Sequence, residues 1–189
     1  CGCVRQLTGE VDERRKTLIP LVKEIARNIN IPFTVGGGIN ALENVEELLK
    51  NGADKITINS ASLSNPKLIS EVAKRFGSQC MVLAIDTKFV GNQHKVFSNG
   101  GKIETEKELF SWAKEVENLG AGEILLTSMN TDGTKAGFAI DITKTLSELI
   151  NIPVIASGGA GTMLHFEDVF TETKATGALA ASIFHFNEI

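Results

Sequence analysis

The sequence has few cysteines and no long apolar run, and each shortage excludes a class of protein. Two of its three cysteines, Cys1 and Cys3, are too close together for an ordinary disulfide, and no second cysteine pair exists to build a zinc site. This odd count, with no disulfide framework, indicates a reducing compartment. No segment approaches the ~18 consecutive apolar residues of a membrane span, and no signal peptide is visible. We therefore expect a cytoplasmic protein that does not engage a membrane.

Positive charge and histidine are also sparse. The formal net charge is -4 over 189 residues, and no run of Lys or Arg provides the footprint of a nucleic-acid-binding protein. His94, His165 and His185 share no metal-ligand spacing, so we interpret them as surface or packing residues and predict neither a metal nor a cofactor. Hydrophobic residues at 42% and charged residues at 22% are typical of a globular domain with a sizeable core.

The sequence does contain a regular alternation of short apolar runs and longer amphipathic ones. The short runs predict six strands, at about 32–35, 55–59, 80–86, 123–128, 153–157 and 178–182. The amphipathic runs predict helices at about 16–28, 42–51, 66–76, 106–119, 141–150 and 164–171. Turn-forming glycine and asparagine residues predict a hairpin insertion at about 88–105. Strands that alternate with helices predict a parallel sheet.

A repeated motif divides the chain into two similar parts. The sequence Asn-Ile-Pro at 30–32, followed by Gly-Gly at 37–38, recurs with the same spacing at 151–153 and 158–159. Two equivalent halves of a (β/α)8 barrel would show such a repeat, whereas an open doubly wound sheet, the alternative, needs none. We therefore predict one (β/α)8-barrel domain over residues 1–189. The two copies of the repeat cover about 30–60 and 151–182.

Glycine and small polar residues cluster where the predicted strands end. In a (β/α)8 barrel the reactive groups lie in the loops at these carboxyl ends. Glycines directly after a strand let backbone N–H groups approach an anion, so two such turns predict two phosphate sites for a long substrate. The alternative is that the glycines only form tight turns. The candidates are Gly38, Asn59 and Ser60 in one group, and Gly158, Gly159, Ala181 and Ser182 in the other.

Asp86 ends the most apolar of the predicted strands and is expected to point into the mouth of the barrel. Burial there would raise the pKa of the carboxyl group toward the range that is useful for acid–base catalysis. The alternative is a helix cap or an ion pair with Lys88. Thr127 and Ser157 end two other strands and are candidate hydrogen-bonding groups of the same pocket.

Together, these segments resemble the family of the cyclase subunit of imidazole glycerol phosphate synthase, a (β/α)8 barrel of histidine biosynthesis. The related isomerase of the same pathway shares the glycine turns. It lacks the Gly-Ala-Gly-Glu run at 120–123 and the Ser-Ile-Phe-His-Phe ending at 182–186. The stretches that carry the resemblance are 33–39, 52–55, 58–59, 84–86, 120–128, 132–134, 155–161 and 180–186.

The resemblance implies a reaction and a partner. A glutaminase subunit would supply ammonia through the barrel. The ammonia would react with a doubly phosphorylated ribulosyl-formimino carboxamide ribotide, giving imidazole glycerol phosphate and AICAR without a cofactor. Two other interpretations stay open, a non-catalytic phosphate-binding half-barrel module and the related phosphoribosyl-formimino isomerase.

The resemblance also implies a role for each candidate residue. Asp86 matches one of two catalytic aspartates, and Thr127 and Ser157 match polar positions of the mouth. Lys55 and Glu123 match half of a charged gate for ammonia, although lone charges at strand starts are usually solvated. The first phosphate site would comprise Gly38, Asn59 and Ser60, and the second would comprise Asp132, Gly133, Gly158, Gly159, Ala181 and Ser182.

The resemblance fails at both ends of the chain. Residues 1–7 do not fit the family pattern near Gln6, and the sequence stops at Ile189, before the last barrel helix. We therefore expect an incomplete barrel with about six of eight strands, without the first two strands and the last helix. Such a truncated chain should be inactive alone, and its strands at Phe33 and Ala178 should be the open edges of the sheet.

Overall fold

The computed structural model describes residues 2–3 and 11–186, so the divergent start near Gln6 and the end at Ile189 lie outside the described residues. The strands are β1 (Gly2–Cys3), β2 (Phe33–Gly36), β3 (Lys55–Ile58), β4 (Met81–Val90), β5 (Gln93–Ser98), β6 (Ile103–Glu108), β7 (Glu123–Ser128), β8 (Val154–Ser157) and β9 (Gly177–Leu179). The helices are α1 (Val11–Asn28), α2 (Leu42–Lys50), α3 (Ser60–Ser64), α4 (Lys67–Phe76), α5 (Leu109–Leu119), α6 (Ile140–Leu149), α7 (Met163–Glu172) and α8 (Ser182–His185).

Seven of these strands form a parallel sheet in the order β1-β2-β3-β4-β7-β8-β9. Each of these strands except β4, which continues into the β5–β6 hairpin before α5, is followed directly by a helix, and the sheet curls into an incomplete (β/α)8 barrel. This confirms the fold class that the alternating pattern predicts. In the described part of the chain, no helix is long and apolar enough to cross a membrane.

The prediction that the strand at Phe33 is an open edge of the sheet is wrong. Gly2 and Cys3 pair with Phe33 and Thr34 in parallel register, so a seventh parallel strand lies outside it. A two-residue strand is too short to produce an alternating apolar pattern. Sequence periodicity therefore cannot reveal it.

Successive residues of the central strands face opposite sides of the sheet. Residues such as Ile56, Leu83 and Ile85 are fully buried and join a single core cluster with helix residues such as Trp112. The intervening residues, which include Thr57 and Asp86, are partly exposed and face the interior of the barrel. One face of the sheet therefore stabilises the fold, and the other carries the polar groups.

Two short helices were not expected from the sequence. Helices α3 and α8 occupy positions where the sequence predicts strand ends or turns, and β9 ends at Leu179 rather than at residue 182. Both helices begin at a serine in a run of small residues, which carries no helical periodicity of its own. They occur at corresponding places in the two copies of the sequence repeat.

The hairpin extends the central strand of the barrel. Strand β4 continues beyond the barrel to Val90, and β5 folds back antiparallel to it before pairing with β6. The predicted insertion at about 88–105 falls within this three-stranded extension. Because Phe97 of β5 is paired with Asp86, the base of the hairpin lies beside the mouth of the barrel.

Candidate functional site

A row of polar side chains crosses the carboxyl ends of the central strands. Asp86 on β4 is in register with Thr127 on β7, which is in register with Ser157 on β8. Asn59 follows the neighbouring strand β3, and its Nδ2 donates a hydrogen bond to Oδ2 of Asp86 over 2.9 Å. The fold therefore brings these four residues together on the inner face of the sheet.

The environment of Asp86 favours the protonated form of its carboxyl group. Burial among the strand ends raises the pKa of Asp86, and the negative charge of Asp132 adds to the rise. Hydrogen bonds from Asn59 and Thr127 oppose the rise by stabilising the carboxylate, but they do not cancel it. The described bonds of Asp86 go to these neighbours rather than to the exposed Lys88, so the ion-pair alternative is not what the structure shows.

Two glycine loops flank Asp86 symmetrically. The first glycine loop, residues 37–41, follows β2, and the second glycine loop, residues 158–162, follows β8. In the sheet order, β2 and β8 each lie two places from β4, which carries Asp86. At about 4.8 Å between neighbouring strands, each loop begins roughly 10 Å from the strand of Asp86, measured along the sheet.

The first glycine loop begins with two exposed glycines. Gly37 and Gly38 have φ values of 101° and 68°, a region that glycine adopts without the steric cost of a side chain, and both residues are exposed. Further along the loop, the N–H of Asn40 donates to Oδ1 of Asn44 over 3.2 Å. The neighbouring Ser60 accepts a hydrogen bond from the N–H of Asn99 over 2.9 Å, which ties this side of the mouth to the hairpin.

The second glycine loop begins with two buried glycines, Gly158 and Gly159, and is interlocked with the β7–α6 loop, residues 129–139. The N–H of Gly137 donates to the oxygen of Gly159 over 2.8 Å, and Oγ1 of Thr131 donates to the oxygen of Gly158 over 3.1 Å. A Cβ atom at Gly159 would collide with the carbonyl group of Gly137, and one at Gly158 would lie 2.8 Å from the oxygen of Ser128. The two loops are in backbone contact.

The remaining phosphate-site candidates lie around the second glycine loop. Asp132 and Gly133 are exposed residues of the β7–α6 loop, and Gly133 has a φ of 75°. Ala181 and Ser182 are exposed at the start of α8, after β9, which pairs with β8. These candidates lie on the side of Asp86 opposite to Gly38 and Ser60. This is the arrangement that two separate phosphate sites require.

The opposite end of the barrel carries the ion pair of Lys55 and Glu123. Lys55 opens β3, Glu123 opens β7, and their side chains meet across the intervening β4 with 2.9 Å between Nζ and Oε2. Their side chains are 33% and 16% exposed, so this pair is less solvated than lone charges at strand starts usually are. The structure therefore brings together two residues that the sequence could only place at the same face.

Some residues of the site were missed or given a different role by the sequence. The sequence predicts Asn59 in a phosphate site, and it gave no sign of the bond that the Asn59 side chain makes to Asp86. His165 was interpreted as a surface or packing residue, but its Nδ1 accepts N–H groups of the second glycine loop. The repeat held a signal for His165, because the same offset that relates the glycines relates Asn44 to it. Within the described residues, no group of three His, Cys, Asp or Glu side chains could hold a metal ion.

A curled parallel sheet whose polar residues gather at the carboxyl ends of its strands has the architecture of a (β/α)8-barrel enzyme. Residues 3–189 match the family described as histidine biosynthesis protein, and the chain belongs to that family. It is 60% identical to the imidazole glycerol phosphate synthase subunit HisF of Flavobacterium psychrophilum over 178 residues, which cover 94% of this chain and 71% of that protein.

Other relatives carry the same name. The imidazole glycerol phosphate synthase subunit HisF of Phocaeicola vulgatus is 60% identical over 94% of this chain and 70% of its own length. The protein of the same name from Elusimicrobium minutum is 57% identical over 94% of this chain and 71% of its own length. The resemblance that the sequence motifs indicate is therefore confirmed.

Proposed function

We propose that this chain is the cyclase subunit of an imidazole glycerol phosphate synthase in histidine biosynthesis. Its reaction joins ammonia to a doubly phosphorylated ribulosyl-formimino carboxamide ribotide and yields imidazole glycerol phosphate and AICAR. The observation that carries the proposal is the position of Asp86, a half-buried carboxyl group with a raised pKa midway between two glycine loops. The names and the high identity of the relatives support it.

Asp86 is the acid–base group of this reaction. Forming an imidazole ring from an amine and a carbonyl group requires protons to move on and off nitrogen and oxygen atoms. A carboxyl group whose pKa is raised above its ordinary value is better suited than an ordinary aspartate to both directions of transfer. The amide of Asn59 orients the carboxyl group, and the hydroxyl of Thr127 bonds it from the next strand.

The two glycine loops bind the two phosphate groups of the substrate. Their positive-φ glycines turn the backbone directly after a strand, which lets N–H groups approach an anion closely. Gly38 with Ser60 serves one phosphate group, and Gly159 with Ser182 serves the other. A substrate held at both ends has its reacting centre near Asp86, because the two loops flank that residue.

Ammonia enters from the other end of the barrel. A glutaminase subunit docked at the amino-terminal ends of the strands would release ammonia beside the ion pair of Lys55 and Glu123. That pair closes the entrance while it is intact and must open for ammonia to pass. The complex works in the cytoplasm, where the buried, unpaired Cys80 stays reduced.

The variant Asp86→Asn tests the proposal in the full product of the gene, with ammonium salt as the nitrogen donor. Removing the acid–base group should lower kcat by at least ~10²-fold, the low end of such effects, and leave KM for the ribotide within about threefold. Lys88→Gln is the control, and it should leave both constants unchanged. A near-normal kcat in Asp86→Asn would contradict the proposal. Phosphate binding without turnover in the unmodified protein would instead favour a non-catalytic module.

A further inference from the structure

The imidazole of His165 is hydrogen-bonded to the backbone of the second glycine loop. Its Nδ1 lies 3.0 Å from the nitrogen of Gly161 and 3.3 Å from that of Thr162, and both N–H groups donate to it. Nδ1 must therefore carry a lone pair, which places the proton of the neutral ring on Nε2. In return, the side chain of Thr162 accepts the backbone N–H of His165, which completes a reciprocal pair at the start of α7.

The first glycine loop has an equivalent hydrogen bond between a side chain and the backbone, made by a different residue. The offset that relates Gly38 to Gly159 also relates Asn40 to Gly161 and Asn44 to His165. Oδ1 of Asn44 accepts the N–H of Asn40 over 3.2 Å, as Nδ1 of His165 accepts that of Gly161. Oδ1 of asparagine and Nδ1 of histidine are both acceptors bonded to Cγ, so the two side chains reach the backbone in the same way.

The imidazole also faces the β7–α6 loop. A Cβ atom at Gly137 would lie 3.6 Å from Cδ2 and 3.8 Å from Nε2 of His165, at ordinary van der Waals distance from the ring. Gly137 in turn donates its N–H to Gly159. One edge of the ring therefore bonds to the second glycine loop, and another faces Gly137 of the loop that interlocks with it.

We propose that His165 is the positioning residue of the second glycine loop and that Asn44 has the same task in the first. Each side chain fixes the end of its loop through a backbone N–H, so that the preceding glycines are held in the conformation that receives an anion. The inference rests on the proposed phosphate-binding function of the loops. Positioning lowers the ordering cost of binding, so its loss should weaken binding of the phosphorylated substrate rather than slow the chemical step.

The test uses His165→Leu, which keeps bulk but removes the acceptor, and His165→Asn, which restores an acceptor at the same atom position. With the ribotide and ammonium, His165→Leu should raise KM by about tenfold, the equivalent of one or two lost hydrogen bonds, with kcat within about twofold. His165→Asn should recover most of the loss. Glu108→Ala is the control, because it removes the cap that Glu108 gives to Ser111 on α5 and no described hydrogen bond of Glu108 goes to either glycine loop, so it should not change KM.

Hydrogen exchange of the backbone amides separates this inference from the proposed function. In His165→Leu the amides of Gly161 and Thr162 should exchange at least about tenfold faster, because they lose their acceptor, while that of Asn40 keeps its rate. Unchanged exchange, or a KM that Asn does not recover, would overturn the positioning role. Faster exchange with an unchanged KM would also overturn it, since the loss of the hydrogen bonds from the loop to His165 would then have no effect on substrate binding. If the unmodified protein turned over no ribotide, the proposed function would fail, and exchange alone would decide whether His165 holds the loop.

Discussion

The two glycine loops have almost the same sequence pattern but different surroundings. In the first, Gly37 and Gly38 are exposed, and Oδ1 of Asn44 on α2 accepts the N–H of Asn40. In the second, Gly158 and Gly159 are buried, and the β7–α6 loop bonds to both of their carbonyl groups. A repeated motif therefore sets the backbone turn, whereas the neighbouring loop decides how rigidly the turn is held.

This difference has a consequence for binding. A loop that is already fixed by its neighbours loses little conformational entropy when an anion binds, so it should bind more tightly than an open loop with the same backbone. The second glycine loop would then anchor one end of the substrate first. The open first loop would engage the other end afterwards.

Alanine substitutions in the two loops should give the largest contrast. Gly159→Ala places a Cβ atom against the carbonyl group of Gly137 at a φ of 103°, and it should lower the free energy of unfolding by at least about 3 kcal/mol. Gly38→Ala, at a φ of 68°, carries the cost of the left-handed region, about 1 kcal/mol, and because Gly38 is exposed we expect a smaller loss than at Gly159. Chemical denaturation of both variants measures the difference. Equal losses would show that the second loop is no more constrained than the first.

A smaller effect is expected from the side chain that joins the loops. Thr131→Val removes the hydrogen bond from Oγ1 to the oxygen of Gly158 and should cost about 1 kcal/mol of unfolding free energy. Thr145→Val removes a similar bond, to the oxygen of Asp141 on the exposed side of α6, and is the matched control. We expect it to cost less than about 0.5 kcal/mol. If Thr145→Val lowered the free energy of unfolding as much as Thr131→Val, the bond to the glycine loop would stabilise the protein no more than an exposed bond within a helix.

The smallest effect concerns the residue between the loops. Because the folded pKa of Asp86 is raised, folding favours its protonated form, and this contribution to stability is lost as pH rises from about 3.9 through the folded pKa. Asp86→Asn cannot ionise, so at pH 7 it should unfold at a slightly higher denaturant concentration than the unmodified protein. The advantage should vanish below about pH 4. A variant that is less stable at pH 7 would show that the ionised carboxylate is stabilised by its neighbours.

Much of the architecture could be predicted from the sequence, because the buried positions of a helix or a strand recur with the period of that element. The strand predicted at 123–128 coincides with Glu123–Ser128, because half-buried and buried residues alternate along it. The two-residue strand β1 and the short helix α3 could not be predicted, because elements of this length have no period.

The sequence could predict the residues of the site that lie at the carboxyl ends of strands, because these ends converge. Parallel strands bring their carboxyl ends to one edge, so Asp86, Thr127 and Ser157 were expected to be close and are in register. The contact of Asn59 with Asp86 and the hold of His165 on its loop depend on side-chain direction and on loop paths, which no local pattern encodes. Only the repeat, which pairs Asn44 with His165, pointed to the second of these.

Titration of the isotopically labelled protein with inorganic phosphate, followed by the backbone amide resonances of both glycine loops, tests the central claim most directly. The account predicts two sets of shifting resonances on opposite sides of Asp86. The amides of 158–162 should saturate at a phosphate concentration at least about threefold lower than those of 37–41, because that loop is already ordered. Saturation of both loops at the same concentration, or shifts confined to residues 37–41, would contradict it.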